Sequence, residues 1–189
     1  VLFVCWRGAA KGICPLRGRI PLCLRASNWK LGDIMIIRRF LPEEAEEVSN
    51  LIAKTLREVN TKDYTIEYIE NSIHNLQPKN ILERAKWTHF YIVCDGNRII
   101  GCGAIGPYWD YENESSLFTI FVLPEYQGKG IGRKIIETLE QDEYFLRAKR
   151  IEIPASITAT PFYLKMGYTF KGGITEPDEE LLIRLEKHR

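Results

Sequence analysis

Apolar side chains recur at three- and four-residue intervals through Ala45, Val48, Leu51, Ile52, Leu56 and Val59, the spacing of an amphipathic helix laid on a sheet. Pro42-Glu43-Glu44 opens that helix, because proline suits its first turn and acids suit the positive end of its dipole. Ile66, Ile69, Ile73 and Leu76 predict a second helix, and a short one follows Pro78. Continuous apolar runs predict strands instead: Ile36 to Phe40, Phe90 to Cys94, Arg98 to Ile105, Leu117 to Val122 and Ile151 to Ile153. Asp95-Gly96-Asn97 joins the second and third of these as a hairpin. A helix of about four turns is expected over Arg133 to Phe145, a short one over Ala159 to Lys165, and closing strands at Tyr168 to Phe170 and Leu181 to Leu185. The order predicts a mixed α/β layer arrangement.

The 189-residue length allows one well-buried domain, and 45% hydrophobic with 27% charged residues is the balance of a globular chain. Residues 1–33 depart from this pattern. They hold Gly8, Gly12, Gly18, Gly32, Pro15 and Pro21 with no sustained period, so the folded domain is expected over 35–189 and residues 1–34 are set aside as a leader. Two readings of the leader compete: a basic, acid-poor targeting segment, or translated sequence upstream of a true start at Met35. The second is favoured because a strand begins directly after Met35, and because Gly32-Asp33 is encodable by a ribosome-loading sequence.

The formal net charge is +1, but six basic residues and one acid fall within 1–33, leaving 20 basic against 24 acidic residues in the rest. That mildly acidic body argues against nucleic acid as a ligand. Cys94 and Cys102 lie in apolar strands as small hydrophobes, and the nine-residue spacing of Cys5, Cys14 and Cys23 is taken as coincidence. With no CxxC pair and His74, His89 and His188 scattered, no metal is expected. No run approaches a membrane span, and the cytoplasm is the expected compartment.

The stretch from Leu117 to Ile136 reads strand, glycine turn, helix. Gly128, Gly130 and Gly132 let backbone approach a bulky anion, and the following helix aims free N–H groups at it, so a diphosphate fits there. A Walker loop needs Ser or Thr after Gly-Lys, whereas Gly130 follows Gly128-Lys129; a Rossmann fingerprint needs glycine where Arg133 stands. Nucleotide binding is therefore disfavoured.

Gln127, Gly130 and Gly132 resemble the Q/R-x-x-G-x-G/A coenzyme motif of the GCN5-related N-acetyltransferase (GNAT) superfamily. Downstream, Ser156, Ala159, Phe162, Tyr163, Gly167 and Tyr168 resemble its N-x-x-A-x-x-F/L-Y-x-x-x-G-F/Y motif, with Ser156 replacing asparagine. The resemblance runs from about Met35 to the end of the chain and implies a GNAT-like acyl-CoA N-acyltransferase fold, a mostly antiparallel sheet flanked by helices. It also implies acetyl-CoA as cosubstrate. Ile120 and Val122 would then pair with the pantetheine arm. Gln127, Gly128, Lys129, Gly130, Ile131, Gly132 and Arg133 would hold the pyrophosphate, and Ser156 an amide.

Tyr163 would protonate the leaving thiolate, a role that needs only a phenol in reach of sulfur. Glu152 lies one residue from the position where some members carry a general base, and Glu114 or ordered water are the other routes for the proton. Asn60, Tyr64, Tyr68, Trp109, Asp110, Tyr111 and Glu114 are expected around an amine acceptor, small molecule or protein, since ring faces and carboxylates hold cations. A covalent route through Cys102 lacks a neighbouring base. A homodimer is in keeping with the resemblance. The rival from another class is a catalytically silent acyl-CoA sensor on the same fold.

Overall fold

The computed structural model describes residues 35–109 and 111–189. The leader and Asp110 lie outside the described residues, so the expectations placed on them are left there. Seven strands form one sheet in the order β1-β2-β3-β4-β5-β7-β6, comprising Met35–Arg39, His89–Asp95, Arg98–Tyr108, Tyr111–Val122, Arg150–Ala155, Ile183–His188 and Thr169–Phe170. Every neighbouring pair is antiparallel except β4 with β5. The mixed, mostly antiparallel sheet expected from the sequence is therefore present.

The helices are α1 (Ala45–Val59), α2 (Ile66–His74), α3 (Pro78–Ala85), α4 (Ile131–Leu139), α5 (Glu143–Arg147) and α6 (Thr160–Lys165). Burial of Val48, Leu51, Ile52 and Leu56 follows the period that predicted α1. Glycines on β3 let α4 lie close: a Cβ on Gly103 would come within 2.5 Å of Ile135. Only a residue without one fits there.

Two predicted boundaries change. The single helix expected over Arg133 to Phe145 is two, because α4 ends at Leu139 and Asp142 caps a new start, accepting from the Tyr144 amide at 2.9 Å. The strand predicted from Leu117 begins instead at Tyr111, which pairs with Tyr108 across a tight hairpin. Polar residues Glu112 to Ser116 concealed this extension.

Asp142 also receives the Tyr91 hydroxyl at 2.7 Å and lies 2.8 Å from His89 Nδ1. Burial pushes its carboxyl up, but the bonds from His89, the Tyr144 amide and Tyr91 outweigh this and hold it below the usual range. Asp142→Ala is expected to cost about 2–3 kcal/mol, the sum of a cap and one buried polar network, in urea unfolding at pH 7. In the wild-type protein this contribution is complete above about pH 4, where an unfolded aspartate is ionised, and is lost as pH falls through the depressed native value. Among the described residues no helix is long and apolar enough to cross a membrane.

Candidate active site

Strands β4 and β5 pair only from Glu114 to Ser116 against Arg150 to Glu152. Beyond Ser116 and Glu152 they separate, and the gap between Leu117–Val122 and Ile153–Ser156 opens into a cavity of about 530 Å³. That is the size of a small-molecule site. An irregularity in β4 helps to open it: Cys102 pairs with Phe121 but Ala104 pairs with Phe118, so β4 carries one extra residue. Thr119, within that bulge, has φ +52.

The glycine turn forms one end of the cavity. Pro124–Tyr126 makes a 3-10 turn, Gly128 and Gly130 take φ of +73 and +82, and α4 begins at Ile131. Positive φ at two successive alternate positions is where glycine is required. A Cβ built on either glycine meets no atom within 4 Å, so the space beside them is open. Gly130 caps α4 without a side-chain acceptor, and no acid lies in the first turn. Among the described residues the first N–H groups of α4 therefore have no intrahelical or side-chain partner, and they sit at the positive end of its dipole.

Of the sequence-predicted ligand residues, Ile120, Val122, Gln127, Gly128, Gly130, Gly132, Arg133 and Ser156 line this cavity, and Tyr163 lines it with them. Gln127 Nε2 donates to the Val122 carbonyl at 3.0 Å, tying the turn to the strand. Ser156 Oγ accepts from the Ala159 amide at 3.2 Å, capping the turn that leads into α6. Gly132 faces Phe162, whose ring leaves only 3.2 Å to an added Cβ. This contact seats α6 against the first turn of α4. Tyr163 is buried, packs edge-on to Phe162 and Tyr168, and its hydroxyl has no hydrogen-bond partner among the described residues. Desolvation alone pushes its phenol well above the ordinary tyrosine value.

Three of the expected residues are not among those that line the cavity. Ile131 is 1% exposed and its side chain belongs to the core, while its backbone N–H stays in the first turn of α4. Lys129 is directed over the Tyr126 ring, 5.0 Å from its centroid, and is not among the lining residues. Glu152 is not a lining residue either. The β5 lining begins one residue on, at Ile153, with Pro154 and Ala155, and the Glu152 side chain is instead buried in a cluster of cations. There its carboxylate meets Arg150 and Lys171, each at 2.7 Å, and Arg184 at 3.9 Å. A carboxylate so occupied is unsuited to collecting a proton from an amine in the cavity.

The residues expected around the acceptor also divide. Asn60, Tyr64 and Tyr68 line the cavity, with the two tyrosine rings stacked at 4.7 Å. Trp109, Tyr111 and Glu114 instead share a shallow depression with Tyr108 and Arg150 at the hairpin. Tyr64 donates to the Leu181 carbonyl and accepts from the Ile157 amide, both at 2.9 Å, while Tyr68 donates to the Glu180 carbonyl at 2.9 Å. Desolvation pushes the Tyr68 phenol up to about 12. These tyrosines bind the C-terminal loop to α2 and shape the wall. Cys102 is fully buried and pushed up to about 12 by desolvation, which removes it as a thiolate nucleophile.

Sequence reasoning missed Arg84, Phe118 and Thr119 in the lining. Arg84 looks in sequence like a solvated cation near the end of α3, and only the tertiary fold turns it toward β4.

Residues 86–170 match the family model described as an acetyltransferase (GNAT) domain. The spermine/spermidine N(1)-acetyltransferase of Bacillus subtilis (strain 168) is 29% identical over 132 residues, 63% of this chain and 82% of its own. Among solved structures, the PaiA N-acetyltransferase from Thermoplasma acidophilum in complex with coenzyme A aligns with TM-score 0.70 at 19% identity, covering 82% of this chain and 99% of that one. A GNAT family acetyltransferase from Brucella melitensis in complex with acetyl-CoA aligns with TM-score 0.52 at 25% identity, over 71% and 82% of the two chains.

Proposed function

We propose that this chain, an N-acetyltransferase of the GCN5-related superfamily, binds acetyl-coenzyme A in the fork between β4 and β5 and transfers the acetyl group directly to a primary amine. The observation that carries the reading is the separation of β4 from β5 beyond Ser116 and Glu152, beside the glycine turn and the uncapped start of α4. An extended amide-bearing arm pairs with an unzipped strand, and a diphosphate suits the free N–H groups at a helix start. The two relatives that the solved structures record with coenzyme A or acetyl-CoA support the same ligand.

In this reading Gln127, Gly128, Gly130, Gly132 and Arg133 hold the pyrophosphate, and Ile120 and Val122 align the pantetheine arm. The amine nitrogen attacks the thioester carbonyl carbon, whose oxygen is polarised by a backbone N–H of β4. The C–S bond breaks as the N–C bond forms, and Tyr163 donates its proton to the departing thiolate. The amine's own proton passes to water, which restores the phenol. The domain assigned to this work is 35–189.

Calorimetry with acetyl-coenzyme A tests the reading. Wild-type protein is expected to bind at micromolar levels, and Gly130→Glu to bind on the order of 10-fold or more weakly, since a carboxylate then occupies the anion cradle. Folding of the variant is checked by circular dichroism. A folded wild type without affinity for acetyl-coenzyme A overturns the coenzyme site. Binding without thiol release for any amine favours the silent sensor.

A further inference from the structure

The cavity contains three charged side chains among its lining residues, and all are cations: Arg133 in the first turn of α4, Lys165 on α6, and Arg84 on α3. No Asp or Glu lines it among the described residues. Arg133 and Lys165 stand near the glycine turn and α6, where the proposed diphosphate gives them a counter-charge. Arg84 stands elsewhere, at the β4 bulge, where its guanidinium donates to the Thr119 hydroxyl and lies 5.9 Å from the centroid of the Phe118 ring.

A guanidinium offers five N–H donors, and Thr119 is its one hydrogen-bond partner among the described residues. No carboxylate pairs with it there either. Desolvation pushes its pKa down to about 10, the direction expected of a cation surrounded by protein and lacking an anion. An unpaired cation in such a place is costly, and a planar fork matches a carboxylate in bidentate geometry. The other polar side chains that α1 to α3 and their connections give to the lining are neutral: Thr55, Asn60, Tyr64, Tyr68, Ser72 and Asn75.

We infer that the acceptor is a small amine of the amino-acid class, whose carboxylate is held by Arg84 while its amino group is acetylated. The inference rests on the coenzyme reading above and specifies its second substrate. A polyamine suits this lining poorly. It brings several positive charges to a cavity whose charged side chains are all positive, and like charges at close range are repulsive. The Bacillus subtilis relative is a spermine/spermidine N(1)-acetyltransferase, so the two chains would differ in acceptor. The reaction balances as before: the amine loses one proton, the amide N–C bond forms, the C–S bond breaks and the thiol is released protonated, with the carboxylate unchanged throughout.

The test uses the full chain with acetyl-coenzyme A and a thiol-release readout. The probes are the protein amino acids, their carboxamides, and spermidine. At least one amino acid is expected to exceed both its own carboxamide and spermidine in kcat/KM by about 10- to 100-fold, the span of one charge-assisted contact. In Arg84→Gln that ratio is expected to fall to about unity, chiefly through KM, and Arg84→Lys to retain part of it. A preference for spermidine or the carboxamides, a ratio that survives in Arg84→Gln, or turnover of no member of the panel overturns the inference. If Arg84→Gln does not fold, the wild-type ratio alone decides. Failure of acetyl-coenzyme A to bind is read separately by calorimetry and counts against the coenzyme site.

Discussion

Tyr163→Phe is expected to lower kcat by on the order of 100-fold or more while changing the affinity for acetyl-coenzyme A by no more than about threefold. The substitution removes one oxygen from a ring held between Phe162 and Tyr168, so packing is preserved and only the proton donor is lost. The phenol lines the cavity and its hydroxyl has no hydrogen-bond partner among the described residues, which leaves that proton available to a ligand. Burial raises its pKa above the ordinary value near 10, so the protonated acid persists across the working range. The wild-type kcat is therefore expected to show no alkaline loss from this group up to about pH 10. A Tyr163→Phe enzyme within about threefold of wild type would remove the phenol from the mechanism. So would an alkaline limb below pH 9 that Tyr163→Phe abolishes.

The legible parts of the site are those whose chemistry demands particular residue types. Gly128 and Gly130 are needed for positive φ, and their spacing ahead of an apolar-periodic helix was visible from the chain alone. The period-3.6 pattern of α1 and the Asp95-Gly96-Asn97 turn were visible for the same reason. The break between α4 and α5 was not, because Ile135, Ile136, Leu139 and Phe145 remain apolar across it and the cap at Asp142 competes with a helical period. The bulge at Thr119 left still less trace. One residue inserted into an apolar strand alters no composition, yet it reverses the face on which later residues fall and opens the fork. Arg84 depends on that bulge for its partner, so neither residue could be read without the other. Glu152 shows the converse: its type suited a base, but the tertiary fold surrounds it with Arg150, Lys171 and Arg184.

Glu152→Gln separates the two accounts of that residue. As a general base it would leave stability intact and lower kcat with a pH-dependent loss. Here the carboxylate is 2% exposed at its side chain and is met by Arg150, Lys171 and Arg184. Arg150 is also bound by Glu114 and Glu186, so it keeps carboxylate partners after the change. Arg184 likewise retains Asp178 and Glu180. Lys171 has no second carboxylate partner among the described residues, but at 39% side-chain exposure it can turn to water. The expected cost is therefore about 2–3 kcal/mol, below the 3–5 typical when a fully buried partner is stranded. Urea unfolding at pH 7 measures it. The surviving folded enzyme is expected to retain kcat within about threefold, because neither Glu152 nor its partners Arg150, Lys171 and Arg184 line the cavity. Full stability with a 100-fold loss of kcat would return Glu152 to the reaction. A loss of stability with kcat retained assigns it to the joint of β5 with β7, and leaves water in the fork to take the proton from the amine.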